Sequence, residues 1–436
     1  MSAARLAAWV ALAALVVTPP HDAAAAPKRR DISYFYDGFK QTVRPLTRGL
    51  DPAGGLRRLT GTRREAANVD ERDEVRLPST WWTPRVGFQP MTPEEMLAST
   101  GSLEGPAAGL WTIVKAKSQG VSPGFQILDA RGKRWAIKFD PPDLPELTTA
   151  ADVISSKLYW AAGYNVPHNV IVTFRREDLR LKPGLHYHNA LTGDQPVGEA
   201  TLDSLLARVA RRPDGSWRAV ASRFLEGVPL GEIDYEGRRR DDPDDLVPHE
   251  LRRELRGLWA VNAWLHHDDC SSRNTLDMFV KENGRSFVRH YFLDFSGTLG
   301  AASVTKHSRR SGHEYLLDFG VAFRNMATLG LARPRWEHGI DPEIQGVGFF
   351  DADSFDPERW CPFLPNAAFD ARTTRDVRWG ARIVAGFDEG MIRAAVRQGQ
   401  LSDPRAEEYL VRTLLARRDK IVHYWLDDRH MHAAQR

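Results

Sequence analysis

Cysteine is nearly absent: Cys270 and Cys361 are the only two in 436 residues. Two thiols cannot build a disulfide framework, nor a four-ligand zinc site by themselves. One bridge stays open to them in an oxidising compartment, yet Cys270 lies inside a polar loop, where a free thiol fits equally well. Net charge is small as well, +3 at neutral pH, which removes any strong electrostatic case for a nucleic-acid partner. Arginine runs such as "GRRRDD" are answered at once by aspartate and read as a solvated face. No internal repeat of useful period occurs. The apolar stretch from Leu6 to Val17 is too short to cross a bilayer.

That stretch has a logic of its own. One arginine precedes it, proline and small residues follow it, and Ala23–Ala26 offers an A-x-A cleavage site. Residues 1–26 therefore read as a secretory signal peptide. No cysteine stands near the cleavage site, which argues against a lipoprotein anchor. The expectation is a periplasmic or secreted chain with no integral membrane span after cleavage.

A chain of 436 residues exceeds one minimal core, so two or three packed lobes are expected. Residues 27–105 are polar and punctuated by proline and glycine. The aromatics of "STWWTPR" predict an extended arm anchored on a later lobe. Residues 106–232 turn β-rich. "LWTIVKAK" and "FQILDARGKRWAIKFD" alternate apolar and polar residues, the second as a pair turning at Asp129–Gly132. "TTAADVISSKLYWAAGYNVP" predicts a helix with Thr149 as N-cap, and "NVIVTF" and "WRAVASRFLEG" complete five strands. Residues 233–436 are mainly helical. Their exception is "TLDMFV" and "FVRHYFLDF" about Asn283–Gly284, a hairpin signal. The fold class is α+β: a β-rich lobe, a connector and a larger helical lobe, with an N-terminal arm.

Phosphoryl transfer from a nucleotide needs few parts, mostly electrostatic. A lysine neutralises phosphates and is held by an acid on a helix. A flexible loop covers the phosphates, an Asp receives the proton of the nucleophile, and an Asn and a second Asp hold magnesium. Candidates occur in that order. Lys138 projects from the strand "RWAIKFD"; Asp152, or failing it Glu146, is its partner. An edge lysine and a Thr149–Asp152 capping box explain the same residues without chemistry. Gly120 and Gly124 flank the loop "SQGVSPG". His267, Asp269 and Asn274 fit H-x-D-x-x-x-x-N, with Asp269 as base and Asn274 as metal ligand. Asp294, at the end of the hairpin, would share the metal.

With these residues in place, the chain resembles the protein-kinase-like superfamily, and its atypical bacterial branches in particular. "ADVISSKLYWAAGYNVPHNVIV" is similar to the HipA-type kinases, where an acidic residue starts a helix that a glycine ends. "SRFLEG" resembles their hinge, which implies that backbone atoms of Phe224, Leu225 and Glu226 meet the adenine of ATP. The secretory route resembles that of CotH and Golgi secretory kinases. The resemblance covers about residues 110–300 and implies ATP and Mg2+ as cofactors. It departs from the family at "GVSPG", which is not G-x-G-x-x-G, and at Ser271, where protein kinases carry lysine. Arg273 is the candidate for that missing cation. "DFSG" at Asp294 competes with a better-looking "LDFG" at Asp318.

Two other readings stand beside this one. A pseudokinase-type binding protein on the same fold suits a periplasm poor in ATP. An HD-type metal phosphohydrolase would use the adjacent His267 and Asp268, completed by His290, His307, His313 or Asp318. No groove signature specifies the acceptor, whether protein or small molecule.

Overall fold

The computed structural model describes residues 26–32, 64–98, 104–116, 123–189, 193–329, 331 and 335–427. The expected leader lies outside them except for Ala26, and Gly120 lies outside them as well. Among the described residues the first helix is α1 (Pro93–Ala98), on the arm. Strands β1 (Trp111–Ala116), β2 (Gly124–Leu128) and β3 (Arg134–Phe139) then form an antiparallel meander. Helix α2 (Leu147–Ala161) follows, then β4 (Asn169–Phe174), β5 (Leu179–Leu181), a ribbon of β6 (His186–Asn189) and β7 (Gly193–Pro196), helix α3 (Glu199–Leu206) and β8 (Trp217–Arg223).

Six strands make one sheet in the order β4-β8-β3-β2-β1-β5. All neighbours are antiparallel except β5, which adds to β1 in parallel and was not expected. Its three residues are too few to show a period. Alternation sorts the faces of β3: Trp135, Ile137 and Phe139 are buried in an apolar cluster with Trp217, Ala219 and Leu202, while Lys138 points the other way. The β2–β3 turn is fixed by Asp129 Oδ1, which accepts the N–H groups of Arg131 at 2.9 Å and Lys133 at 2.8 Å.

Helix α2 begins two residues before the expected Thr149 cap, with Glu146 preceding it at φ 69°. The reason is Asp140, beyond the end of β3. Its Oδ1 accepts the N–H groups of Thr148 at 2.8 Å and Thr149 at 2.9 Å, and its Oδ2 accepts the Thr149 hydroxyl at 2.6 Å. A carboxylate from another element thus satisfies the first-turn donors. Asp152 is thereby released from capping.

The helical lobe opens with β9 (Val228–Gly231) and α4 (Arg253–Leu265), followed by the hairpin β10 (Thr275–Glu282) and β11 (Arg285–Phe292). Asn283 and Gly284 turn that hairpin at φ 50° and 78°, as expected of a two-residue turn, and β9 makes it a three-stranded sheet. A short pair, β12 (Ala301–Ala302) and β13 (Thr305–Lys306), precedes α5 (Phe319–Ala327), α6 (Ala367–Ala371), α7 (Thr374–Ala385), α8 (Glu389–Arg397) and α9 (Pro404–Leu426). Helices α4 and α7 cross at a glycine pair. A Cβ on Gly380 would stand 2.2 Å from the Gly257 carbonyl oxygen, so only glycine permits this approach.

The arm packs on this lobe. Trp81 stacks on His290 with centroids 3.5 Å apart, and Trp82 meets Trp379 edge-on. Helix α2 packs into the helical lobe, with Leu158, Tyr159 and Ala162 buried in one apolar cluster with Leu258, Trp259 and Phe295. Besides the connector after β8, Arg218 of β8 donates to the carbonyls of Gly399 at 2.6 Å and Gln400 at 2.9 Å. Glu146 accepts from the backbone and hydroxyl of Ser402 beside them. Cys270 is buried, Cys361 half-buried, and both are free thiols.

Candidate active site

Lys138 stands between two carboxylates: Asp152 Oδ2 at 3.4 Å and Asp294 Oδ1 at 3.0 Å. Burial opposes its charge, but the Asp294 and Asp152 carboxylates outweigh that and hold the ammonium above its ordinary range. Asp152 is fully buried, and desolvation pushes its carboxyl upward against the attraction of Lys138. Asn169, at the start of β4, donates Nδ2 to Asp152 Oδ1 at 2.7 Å. Glu146, the other candidate for Lys138, is turned to Ser402. Gly124 sits directly opposite Lys138 in the β2–β3 register.

The loop after α4 is set by the end of that helix. Arg417 donates to the carbonyls of Trp264 at 3.0 Å and Ala263 at 2.6 Å, satisfying acceptors that the helix cannot. His267 turns inward, its Nδ1 2.6 Å from the Tyr159 hydroxyl, and burial lowers its pKa to about 4, so it stays neutral. Asp269 is half-buried. Its pKa is raised to about 6, chiefly by burial and then by the Asp268 charge, while Asn274 and Arg273 pull it back. Asn274 Nδ2 donates to the Asp269 carbonyl at 2.7 Å, which fixes the amide within the loop. Arg273 is exposed on the single turn Ser272–Asn274.

The hairpin closes the site. Thr275 pairs with Phe292, and Leu293 N–H donates to the Asn274 carbonyl at 2.8 Å. Asn274 and Asp294 are therefore adjacent at the two hairpin ends. Asp294 lies at φ 55°, with the Ser296 hydroxyl on its Oδ1 at 2.6 Å. Phe295 is buried against Tyr159, centroids 4.6 Å apart, and His267. Asp318, by contrast, caps α5 by accepting the Val321 N–H at 3.0 Å.

The hinge candidates Phe224, Leu225 and Glu226 line a cavity of about 510 Å³ with Val166, Val280 and Tyr291. Lys138 and Asp294 are not among its lining residues. The Phe224 N–H is already given to the Arg134 carbonyl at 3.1 Å.

Most of the residues named for an HD-type centre are held by other partners. His267 is held by Tyr159, His290 by Asp277 at 2.6 Å, and His313 stacks on Trp336. Only His307 reaches the Asp of the pair, at 2.9 Å from Asp268. Sequence reasoning missed Asn169 and Asp140. The one readable sign of Asp140 is a polar residue placed just before two prolines and a helix.

A lysine on the third strand, an acid on the following helix, and an Asp–Asn pair and an Asp about a hairpin are thus brought to one place. No family model matches the chain, and no curated protein matches it. Among solved structures it is similar to the Helicobacter pylori proinflammatory kinase CtkA, with TM-score 0.39 and 11% identity, over 74% of this chain and 94% of that one. It is similar also to the Golgi casein kinase, with TM-score 0.34 and 9% identity over 78% and 77%. A third structure, the Golgi casein kinase with Mn/ADP bound, gives TM-score 0.29 and 10% identity over 68% and 76%.

Proposed function

We propose that the chain is a Mg-ATP-dependent phosphotransferase of the atypical kinase kind, close in design to the HipA-type and CotH kinases. One observation carries this reading: Lys138 lies between a helix carboxylate and the carboxylate that ends the hairpin. A solvated edge lysine has no reason to be held by two acids, whereas a phosphate-binding lysine needs both of them.

The donors fit magnesium. Asp294 offers a carboxylate and Asn274 an amide carbonyl, both oxygen ligands of the kind a hard cation prefers. Bound magnesium supplies charge neutralisation on the phosphates of ATP. The residues of the chain do the rest. Lys138 binds the phosphates, and Asp152 orients Lys138. Leu225 and Glu226 offer backbone groups to adenine. Gly124 lets the chain approach the phosphates closely. Asp269 takes the proton of an acceptor hydroxyl; with a pKa of about 6 it is mostly ionised at neutral pH yet basic enough to accept it. Arg273 offers a cation at the rim.

The test is intact-mass spectrometry after incubation with Mg-ATP, combined with an assay of ATP turnover. Turnover, or a gain of one phosphate, supports the reading. A gain of one nucleotide reassigns the chemistry to nucleotidyl transfer, and neither change leaves a nucleotide-binding protein. The apolar run and alanine-rich site support export to the periplasm or beyond. N-terminal sequencing of the exported protein should begin between Ala24 and Lys28, and an intact Met1 on a cytoplasmic protein would overturn that part.

A further inference from the structure

We propose that His266, Asp268 and His307 form a second metal site, for a borderline divalent ion with zinc as the best fit. The site lies beside the Asn274–Asp294 pair but shares no residue with it, and it does not depend on the phosphotransfer reading.

Three segments converge there. His266 ends α4 in the left-handed conformation, Asp268 begins the loop of Asp269, and His307 follows β13. Their exposures are 5%, 5% and 7%, so all three are out of water. One ligand atom from each lies within 4.8 Å of the other two. The Asp268–His307 contact at 2.9 Å accounts for one ring nitrogen only. Both nitrogens of His266, and Nδ1 of His307, have no hydrogen-bond partner among the described residues.

A buried imidazole with neither nitrogen partnered is costly and rare. Gly312 packs closely beside the ring; a Cβ there would stand 3.0 Å from His266 Cε1. A metal ion supplies the missing partner. Two imidazoles and a carboxylate select zinc or a neighbouring transition ion over magnesium or calcium, which favour oxygen-only shells. Tetrahedral ligands at about 2.0–2.1 Å stand roughly 3.3 Å apart, so modest side-chain rotation closes the set and leaves a fourth position for water. Cys270 and Cys361 are not in the cluster, so the shell should contain no sulfur. An ion here would pin the end of α4, the loop of Asp269 and the segment after Asp294 to one point.

The experiment uses the full mature chain. It is stripped with a chelator, dialysed against zinc, then against metal-free buffer, and its metal content is measured. One zinc equivalent per chain is expected, with Tm raised by roughly 4 °C at zinc a hundredfold above Kd. Zinc K-edge absorption should show nitrogen and oxygen neighbours with imidazole scattering and no sulfur. His307→Gln should lose the equivalent, and Asp294→Asn should keep it. The proposal is overturned if the folded wild-type chain retains no zinc, or if the shell contains sulfur or lacks imidazole. It is overturned equally if Asp294→Asn abolishes binding while His307→Gln retains it. Should His307→Gln fail to fold, the wild-type absorption spectrum alone decides.

Discussion

Asn169 holds Asp152 from behind: its Nδ2 donates to Oδ1 at 2.7 Å and leaves Oδ2 facing Lys138. The carboxylate therefore cannot swivel without losing a buried hydrogen bond. That makes Asp152 a fixed point against which the longer, more mobile lysine is positioned.

Lys138→Ala should weaken ATP binding at least about tenfold, the equivalent of roughly 1.4 kcal/mol, because phosphate charge loses its nearest cation. Titration with a fluorescent nucleotide measures it. An unchanged Kd would remove Lys138 from the site.

Asp294→Asn should abolish stabilisation by Mg-ATP, whereas Asp318→Asn should preserve it. Ligand at a hundred times Kd stabilises by roughly 2.7 kcal/mol, a readable thermal shift. Asn caps helices about as well as Asp, so the second variant should also fold normally. A shift lost only in Asp318→Asn would transfer the metal to the later motif.

Asp269→Asn should leave nucleotide binding within about twofold and lower turnover by roughly 10²–10⁴, since its work is confined to the proton. Full activity in any phosphotransfer assay would refute the assignment.

His168 is buried against the Glu104 carbonyl, and desolvation first, then Lys157, lowers its pKa from 6.5 to about 4. The unfolded chain thus binds this proton before the folded one does. Stability should be flat above pH 6.5 and fall as pH drops toward 4, by roughly 3 kcal/mol from this group. Urea unfolding across that window should show a smaller slope in His168→Gln. An identical slope would mean that the folded protein protonates His168 freely.

The two lobes and the hairpin were legible because their signals are local. Alternation marks β3 and sets Lys138 opposite Trp135 and Ile137. Asn283–Gly284 fixes a register that puts Asn274 beside Asp294. What the sequence could not reveal depends on distant partners. Asp140 caps a helix eight residues on, which displaced the expected Thr149 cap and freed Asp152. Asn169 reads as an ordinary strand start. His307 meets Asp268 only because its own N–H bonds the Gly300 carbonyl, folding the segment back over the loop. No spacing rule encodes such a return.

Arg218 and Glu146 tie the sheet lobe to the corner around Gly399–Ser402, far along the chain from the connector at Phe224–Gly227. Helix α2 of the sheet lobe is itself buried in the core of the helical lobe, where its Ser155 hydroxyl meets that of Thr298 at 2.7 Å. Asp152, on that helix, and Asp294 are thus set by one packed core, and Lys138 is the member that the sheet brings to them.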